Sequence, residues 1–511
     1  MANLFDDSKR NIIPNWRSFG TTTSLGELNS LGQHKDEIVN KYSLKKYIID
    51  FEINKAVPHA ADLISAAVVN NQIENRYVKN AANFILKNKT KATISQLLLA
   101  EQILNNQEPV IGTLETKLSE FTPTKYYQLI RETKSFLREY PSNAILQVEL
   151  SRYYSIIGQE YKSVEAMIKA LHLAKNNRFV LRSATRLFTH YHSEDNEYLK
   201  YIRGILNASK ATAVDPWLMS AEISISTAME RNSKFIKKGI ALIDSKNLSP
   251  FNFTELASSI ATVEMQNGKA KKSRDLFKKS IICPNDNSLA QFEWASRTDK
   301  SIKVDHLDFD VQSNYEVLAQ ENYFKNNFSE SFKFTVKWFI DQPFSIRSAI
   351  FGSYLASTVM KDQEKSISLI KAGLISNPGD PTLLNNFAYS LALQNKPAEA
   401  LNELSKIKYT FLEPSTETCI KATRGLIAFR SGNIDQGRYL YWEAISDAKK
   451  ADNKLLNWTA ILNYAREEIS NSTREVESIM DIVSKIPDNK SEIAISILKA
   501  DIIDMYKKMK K

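Results

Sequence analysis

Three arginines in the first half of the chain have the type and spacing to hold an anion: Arg152, Arg182 and Arg186. Arg152 and Arg186 are 34 residues apart. Arg182 and Arg186 are four residues apart, so they share one face of a helix. A guanidinium group can bind a carboxylate or phosphate through two parallel hydrogen bonds. We therefore predict an anion-binding surface made of these arginines and Thr189. The alternative is that they pair with local acids such as Glu149.

A second basic cluster, here called the basic run, lies between residues 269 and 279. It consists of Lys269, Lys271, Lys272, Arg274, Lys278 and Lys279. The whole chain has 68 basic and 58 acidic residues, and this net charge of +10 is mild for 511 residues. The favoured interpretation of the run is a solvated helix face, because exposed faces commonly carry charge. A nucleic-acid surface is the alternative, although no aromatic platform accompanies the lysines.

The sequence contains no familiar catalytic motif. We find no phosphate-binding glycine loop ending in Lys-Ser/Thr, no paired-histidine zinc helix and no nucleophile elbow. Two groups, His190–His192–Glu194–Asp195 and Asp305–His306–Asp308–Asp310, contain possible metal ligands, but neither has the spacing of a known site. The two cysteines, Cys283 and Cys419, are far apart and favour a reducing compartment. We predict a protein that is not an enzyme and that has no metal or cofactor.

A ladder of small residues indicates the elements that position these side chains. It consists of Ser163, Ser273, Ser331, Ser366, Ala400 and Gly437, and its last three steps are 35, 34 and 37 residues. Apolar residues around the ladder recur with a 3.6-residue period, as in Ala400, Leu401, Leu404 and Ile407. A period in the thirties is typical of stacked helix pairs that bury a shared core only together. The sequence therefore predicts an all-α solenoid.

The stretch from Pro381 to Ile445 resembles tetratricopeptide repeats. Large apolar residues, small residues and a turn residue fall at the places that this family's pattern requires: Leu384, Phe387, Ala388, Leu391, Asn395 and Ala400, then Gly425, Gly432, Gly437, Tyr441 and Ala444. Weaker copies lie around Gly158 and Gly268. The resemblance implies an α-α superhelix of about eight helix pairs, with an N-terminal helical cap and a groove lined by the first helix of each pair. It places Arg152 and Arg186 at the ninth position of adjacent repeats, facing that groove. Members of this family that bind the C-terminal carboxylate of a peptide use polar and basic residues at such groove positions. The C-terminal repeats of this chain have Tyr389 or Leu426 at the ninth position, so a full carboxylate clamp is not present.

The predicted organisation has six parts. These are an extended arm (1–45), a helical cap (46–120), a first sub-array (121–298), an irregular insertion or hinge (299–311), a second sub-array (312–467) and C-terminal capping helices (468–511). The arm carries Trp16, and it either packs along the first helices or engages a partner. Packing is favoured because large aromatic residues are usually buried.

These features favour a scaffold or adaptor that binds another protein or peptide, with a carboxylate or other acidic group as its anchor. A nucleic-acid-binding helical-repeat protein is the alternative. The usual uses of the fold suggest an accessory or regulatory subunit of a bacterial cytosolic multiprotein system, with a toxin or defence effector as the regulated enzyme. No secretory leader and no apolar run of about 18 residues is visible, so a cytoplasmic location without membrane association is expected.

Overall fold

The structure is a computed structural model of the 511-residue chain. It describes residues 10–18, 44–69, 73, 75–92, 94–105, 121, 123–139, 141–191, 197–245, 247–299, 301–302, 309, 311, 313–409, 412–487 and 493–511. These residues contain α-helices and no strand, so the predicted all-α class is confirmed. The total of about eight helix pairs stays a prediction.

The chain divides into two compact units that we describe separately. The N-terminal unit contains residues 9–317 and the C-terminal unit contains residues 318–511. The boundary falls within the helix Tyr315–Phe324. The predicted hinge at 299–311 lies before this boundary, and most of it is outside the described residues.

The helices of the N-terminal unit are 9 to 17 residues long. They are α1 (Lys45–Ile53), α2 (Val57–Val69), α3 (Arg76–Lys87), α4 (Ile94–Asn105), α5 (Pro123–Glu139), α6 (Ala144–Ile156), α7 (Glu160–Leu173), α8 (Arg178–His190), α9 (Glu197–Ala208), α10 (Pro216–Ala228), α11 (Ile236–Asp244), α12 (Pro250–Gln266), α13 (Ala270–Ser280) and α14 (Asp286–Thr298). The next helix, α15 (Tyr315–Phe324), begins in this unit and ends in the other. Side chains of α1–α4 form one apolar cluster that also includes Ile145 of α6.

The C-terminal unit continues the same alternation of helices. It contains α16 (Phe328–Asp341), α17 (Ile346–Tyr354), a π-helical segment (Leu355–Val359), α18 (Gln363–Ser376), α19 (Pro381–Leu393), α20 (Pro397–Ser405), α21 (Pro414–Arg430), α22 (Ile434–Lys450), α23 (Lys454–Ser470), α24 (Val476–Ser484) and α25 (Ile493–Met509). Proline occupies the first turn of α19, α20 and α21, where its missing N–H group costs nothing.

The ladder residues lie where the two helices of a pair cross. Ser163, Ser273 and Ser331 are at most 1% exposed. Each hydroxyl donates a hydrogen bond to a main-chain carbonyl of the preceding helix, at Ser151 (2.8 Å), Ala261 (2.8 Å) and Ala319 (2.6 Å). In the last pairs Ala400 is fully buried and the missing side chain of Gly437 makes room for the ring of Phe429. Small residues therefore allow close approach of the helices, as the repeat pattern predicts.

The turn inside each of these pairs has one residue in the left-handed region. These residues are Gly158, Gly268, Asn326, Lys361, Asn395 and Gly432, with φ between 58° and 82°. Each precedes its ladder residue by five positions. Left-handed residues end helices and satisfy their last carbonyl groups, and glycine and asparagine adopt this conformation most easily. The resemblance to tetratricopeptide repeats is thus confirmed at the level of the helix pair.

Candidate partner-binding groove

The first helices of successive pairs lie side by side in the N-terminal unit. These inner helices are α6, α8, α10, α12 and α14, and each contacts the next along the series. Polar residues on their buried surfaces include Glu149, Glu255, Asn287 and Gln291, all at most 5% exposed. We call this polar inner surface the arm groove.

Residues 10–18 are the described part of the predicted arm (1–45), and from here on the word arm refers to these nine residues. They lie in the arm groove in an extended conformation. Burial alternates along the segment: the even-numbered residues from Arg10 to Ser18 are buried and the odd-numbered ones are half-buried. Such a period of two is characteristic of extended chain. Ile12 and Trp16 are each only 1% exposed. For these nine residues the structure shows the packed alternative, in which the arm contacts the chain's own helices.

Acidic residues of the groove receive the charged side chains of the arm. Arg10 forms an ion pair of 3.2 Å with Glu316 and donates a 2.9 Å hydrogen bond to Gln291. Arg17 lies 2.5 Å from Asp286, and both side chains are about nine-tenths buried. Removing one partner of an ion pair this well shielded from water is costly, because it leaves the other charge buried and unmatched.

Two side-chain amides of α14 recognise the arm's main chain. Asn287 donates to the carbonyl oxygen of Ile13 at 2.7 Å, and Gln291 donates to that of Arg10 at 2.9 Å. The donors are four residues apart, so they project from the same face of α14. These two hydrogen bonds to carbonyl oxygens do not depend on the side chains of the bound segment.

The arm connects inner helices that are distant in the series. Arg17 binds Asp286 of α14, and the next residue, Ser18, donates a 3.0 Å hydrogen bond to Glu149 of α6. Consecutive arm residues thus reach the first and last inner helices. The inner helices therefore surround this part of the arm from more than one side.

Arg182 is part of the groove wall. Its guanidinium forms two hydrogen bonds with Glu255 of α12, at 2.7 and 3.1 Å, and lies 4.8 Å from the ring centre of Trp217 on α10. Glu255 also accepts hydrogen bonds from Asn285 (2.9 Å) and Asn287 (3.3 Å). Arg182 thus follows the alternative of pairing with an internal acid, and it supports the amide that holds the arm.

Arg152 differs from Arg182, although both lie on inner helices. It is 6% exposed, and its Nε atom is buried without a hydrogen-bond partner among the described residues. It lies three residues after Glu149 on α6, close to where Ser18 binds. Arg186 is half-buried one turn beyond Arg182, and Thr189 donates to the carbonyl oxygen of Thr185 at 2.7 Å. Among the predicted anchor residues, Arg152 is the one whose Nε–H donor is buried without a described acceptor.

Glu293 is a buried acid on the side of α14 near Arg10. Burial raises the pKa of the Glu293 carboxyl, and the neighbouring charge of Glu316 raises it further. Arg297 and Arg10 act in the opposite direction, but burial dominates. The pKa of Glu293 is thus coupled to the charge of Arg10 in the arm.

Most of the basic run is neutralised locally. Lys269 and Lys272 bind Glu264 at 3.1 and 2.8 Å, Arg274 binds Asp299 at 3.4 Å, and Lys279 binds Asp244 at 2.6 Å. Burial alone would raise the pKa of Glu264, but the hydrogen bonds from Lys272 and Lys269 outweigh it and lower the pKa. Lys271 and Lys278 remain as exposed positions. This pattern supports the interpretation as a solvated helix face.

The predicted metal-ligand groups lie largely outside the described residues. His190 ends α8, whereas His192, Glu194 and Asp195 are not described. The second group, Asp305–His306–Asp308–Asp310, is not described either. Within the described ranges, no three acidic, histidine or cysteine side chains cluster as metal ligands. No helix there is long and apolar enough to span a membrane.

In the C-terminal unit, a tyrosine on the inner surface joins two helices. Tyr389 of α19 donates a 2.8 Å hydrogen bond to Asn463 of α23 and accepts one of 3.0 Å from Arg466. These helices contact although α21 lies between them in the series. Tyr389 occupies the ninth repeat position, where the resemblance implies a groove residue, and here it joins two inner helices directly.

The sequence did not single out α14 as a binding helix. Its key residues, Asp286, Asn287 and Gln291, are common polar types without a charge run or a repeat position to distinguish them. A usable signal was the concentration of amide and acidic residues in a helix that must be buried between its neighbours. Buried amides require partners, and here the arm supplies them.

Comparison with known proteins identifies no family for this chain. No protein-family model matches it, and no curated protein matches it in sequence. Several solved structures resemble it weakly. They include yeast Tom70 (13% identity, 84% of this chain and 95% of that chain, TM-score 0.30) and the APC/C hetero-tetramer Cut9–Hcn1 (11%, 94% and 98%, TM-score 0.39). A third is Naa15/Naa10 bound to HypK-THB (12%, 91% and 95%, TM-score 0.26).

Proposed function

We propose that this protein is a protein-interaction scaffold and that its arm groove binds an extended segment of a partner protein. One observation carries the proposal: the groove already holds the nine arm residues through main-chain contacts, buried apolar side chains and ion pairs. A surface that binds one extended segment has the chemistry needed to bind another. The repeated inner helices make such a surface long and continuous.

The proposed anchor for an acidic group of the partner is Arg152, assisted by Arg186 and Thr189. Arg152 has a buried Nε donor without a partner among the described residues, and a buried guanidinium is costly unless an anion or acceptor meets it. Arg182 has a structural part in this arrangement, because it holds Glu255 and Asn287 in place. A partner segment that extends past the position of Ser18 would bring a carboxylate or phosphate close to Arg152.

The test is recovery of the native partner at near-physiological salt, followed by its identification by mass spectrometry. We expect Arg152→Glu/Arg186→Glu to lose the partner, because repulsion replaces attraction at a shielded contact, typically worth about 2–5 kcal/mol. Lys271→Glu/Lys278→Glu is the matched control, since it makes the same charge change on the exposed basic run. Full recovery by a well-folded groove variant would exclude this groove as the binding site.

The same pair of variants tests the nucleic-acid alternative. The nucleic-acid function would replace the scaffold function on two results together. The unaltered protein binds nucleic acid with an affinity that falls steeply with salt, and the control variant loses this binding. The groove variant still recovers the partner protein fully. The local neutralisation of the basic run by Glu264, Asp244 and Asp299 weighs against that outcome.

A further inference from the structure

We propose that the arm is a displaceable internal ligand and that the external partner carries an extended segment of the same chemistry. That segment has a basic, an aliphatic and an aromatic residue at the places of Arg10, Ile12 and Trp16, with an arginine directly after the aromatic residue. This inference rests on the proposed function, because it names the kind of partner that the arm groove takes.

The arm is held without any regular secondary structure. No main-chain-to-main-chain hydrogen bond joins residues 10–18 to the described helices. Among the described contacts, the side chains of Asn287 and Gln291 donate hydrogen bonds to its main chain. An exchanging segment therefore need not break a helix or a sheet, and a second extended peptide can reproduce the contacts described above for the arm.

The groove selects the sequence of the segment at two kinds of position. Alternate residues point into it, and Ile12 and Trp16 fill its apolar sites almost completely. Two groove acids form ion pairs with the two ends of the arm: Glu316 with Arg10, and Asp286 with Arg17. Because these carboxylates are shielded from water, a segment that leaves them unpaired is disfavoured. The groove thus fits a basic, aromatic-containing segment.

Tethering makes the arm a strong competitor. A segment on the same chain can act at an effective concentration on the order of 1 mM. If the isolated segment binds with a Kd of about 10 µM, the closed arm weakens binding of an external segment by about 100-fold. Opening the groove by weakening the arm should remove most of this penalty.

The experiment uses a fluorescent peptide with the sequence of residues 10–18, titrated with the full-length protein and read by anisotropy. Trp16→Ala in the protein should raise the affinity for the peptide at least tenfold over the unaltered chain, because it empties the largest buried site of the arm. A peptide with the same Trp16→Ala change is the control and should not bind. Equal, weak binding of the intact peptide by both proteins, with unchanged circular dichroism, would overturn the proposal.

A charge exchange gives an independent measurement. Asp286→Arg in the full-length protein repels the arm's own Arg17, and it should bind an Arg17→Glu peptide while rejecting the unaltered peptide. Asp275→Arg is the matched control, because Asp275 is exposed on α13 outside the inner helices. If Asp286→Arg shows no preference between the two peptides, the groove does not read this charge and the proposed partner chemistry is wrong.

The outcomes separate this inference from the proposed function. If Arg152→Glu/Arg186→Glu loses the native partner but no protein variant binds the peptide, the groove is a partner site and the arm is a permanent part of the fold. If the opened groove binds the peptide but the groove variants still recover the native partner, the arm is displaceable and the partner binds elsewhere.

Discussion

The hydroxyl of Ser366 donates a 3.0 Å hydrogen bond to the carbonyl oxygen of Ser353, thirteen residues earlier. The equivalent bonds at Ser163, Ser273 and Ser331 span twelve residues. The difference coincides with the π-helical segment Leu355–Val359, which adds one residue to the end of the first helix. The hydrogen bond at the helix crossing is therefore kept, and the additional residue lies in the chain between Ser353 and Ser366.

Overpacking a crossing should destabilise the fold. Ala400 is fully buried, whereas the adjacent Leu401 is 56% exposed. We expect Ala400→Leu to lower the free energy of unfolding by about 1–3 kcal/mol, because added methyl groups must push two helices apart. Leu401→Ala should change it by less than about 0.5 kcal/mol. Urea denaturation measures both, and equal stabilities would show that position 400 tolerates a larger side chain.

Replacing either of two helical glycines by alanine should change the stability of the protein, but in opposite directions. A Cβ atom at Gly437 would overlap the buried ring of Phe429, whereas one at Gly204 would meet nothing within 4 Å. We expect Gly437→Ala to destabilise the protein by on the order of 1–3 kcal/mol. Gly204→Ala should stabilise it by about 0.5–1 kcal/mol, since alanine favours the helix. Thermal melts that shift in the same direction would contradict the close approach at Gly437.

The sequence was sufficient to predict the helix pairs, because their constraints are local. A small residue at each crossing and a left-handed turn residue five positions before it are both legible in residue types. Lys361 is an exception: its φ of 58° is unusual for lysine, and its sequence gives no turn signal.

The site was less predictable because its contacts join distant parts of the chain. Arg182 meets Glu255, 73 residues later, and Arg10 meets Gln291, 281 residues later. No periodicity connects such pairs. A sequence can indicate that arginines face an inner surface, but which of them are neutralised depends on residues that are distant along the chain.

The two inner-surface arginines should respond oppositely to removal of charge. Arg182→Met leaves Glu255, which is 2% exposed, without its cation, and breaking such a buried pair typically costs about 3–5 kcal/mol. Arg152→Met removes a buried guanidinium whose Nε has no described partner, so the stability of the free protein should stay equal or rise. Denaturation curves test both changes. A large loss of stability in Arg152→Met would mean that Arg152 supports the fold.

Glu293 should make stability depend on pH in a way that involves the arm. Because burial raises the pKa of Glu293, the folded state holds this proton more tightly than the unfolded chain does. Its contribution to stability is therefore greatest below about pH 4.3, the ordinary glutamate value, and declines as the pH rises through the raised value.

Glu293→Gln does not titrate, so its stability relative to the unaltered protein should increase between pH 5 and pH 8. Arg10 lowers the pKa of Glu293, so Arg10→Met should raise that pKa further. The loss of stability with rising pH should then extend to higher pH and become larger. The double variant Arg10→Met/Glu293→Gln should lose this extra dependence. Urea denaturation at several pH values measures the three curves. If Arg10→Met leaves the pH dependence unchanged, Glu293 is not coupled to the arm, and the arm can be displaced without proton uptake at this site.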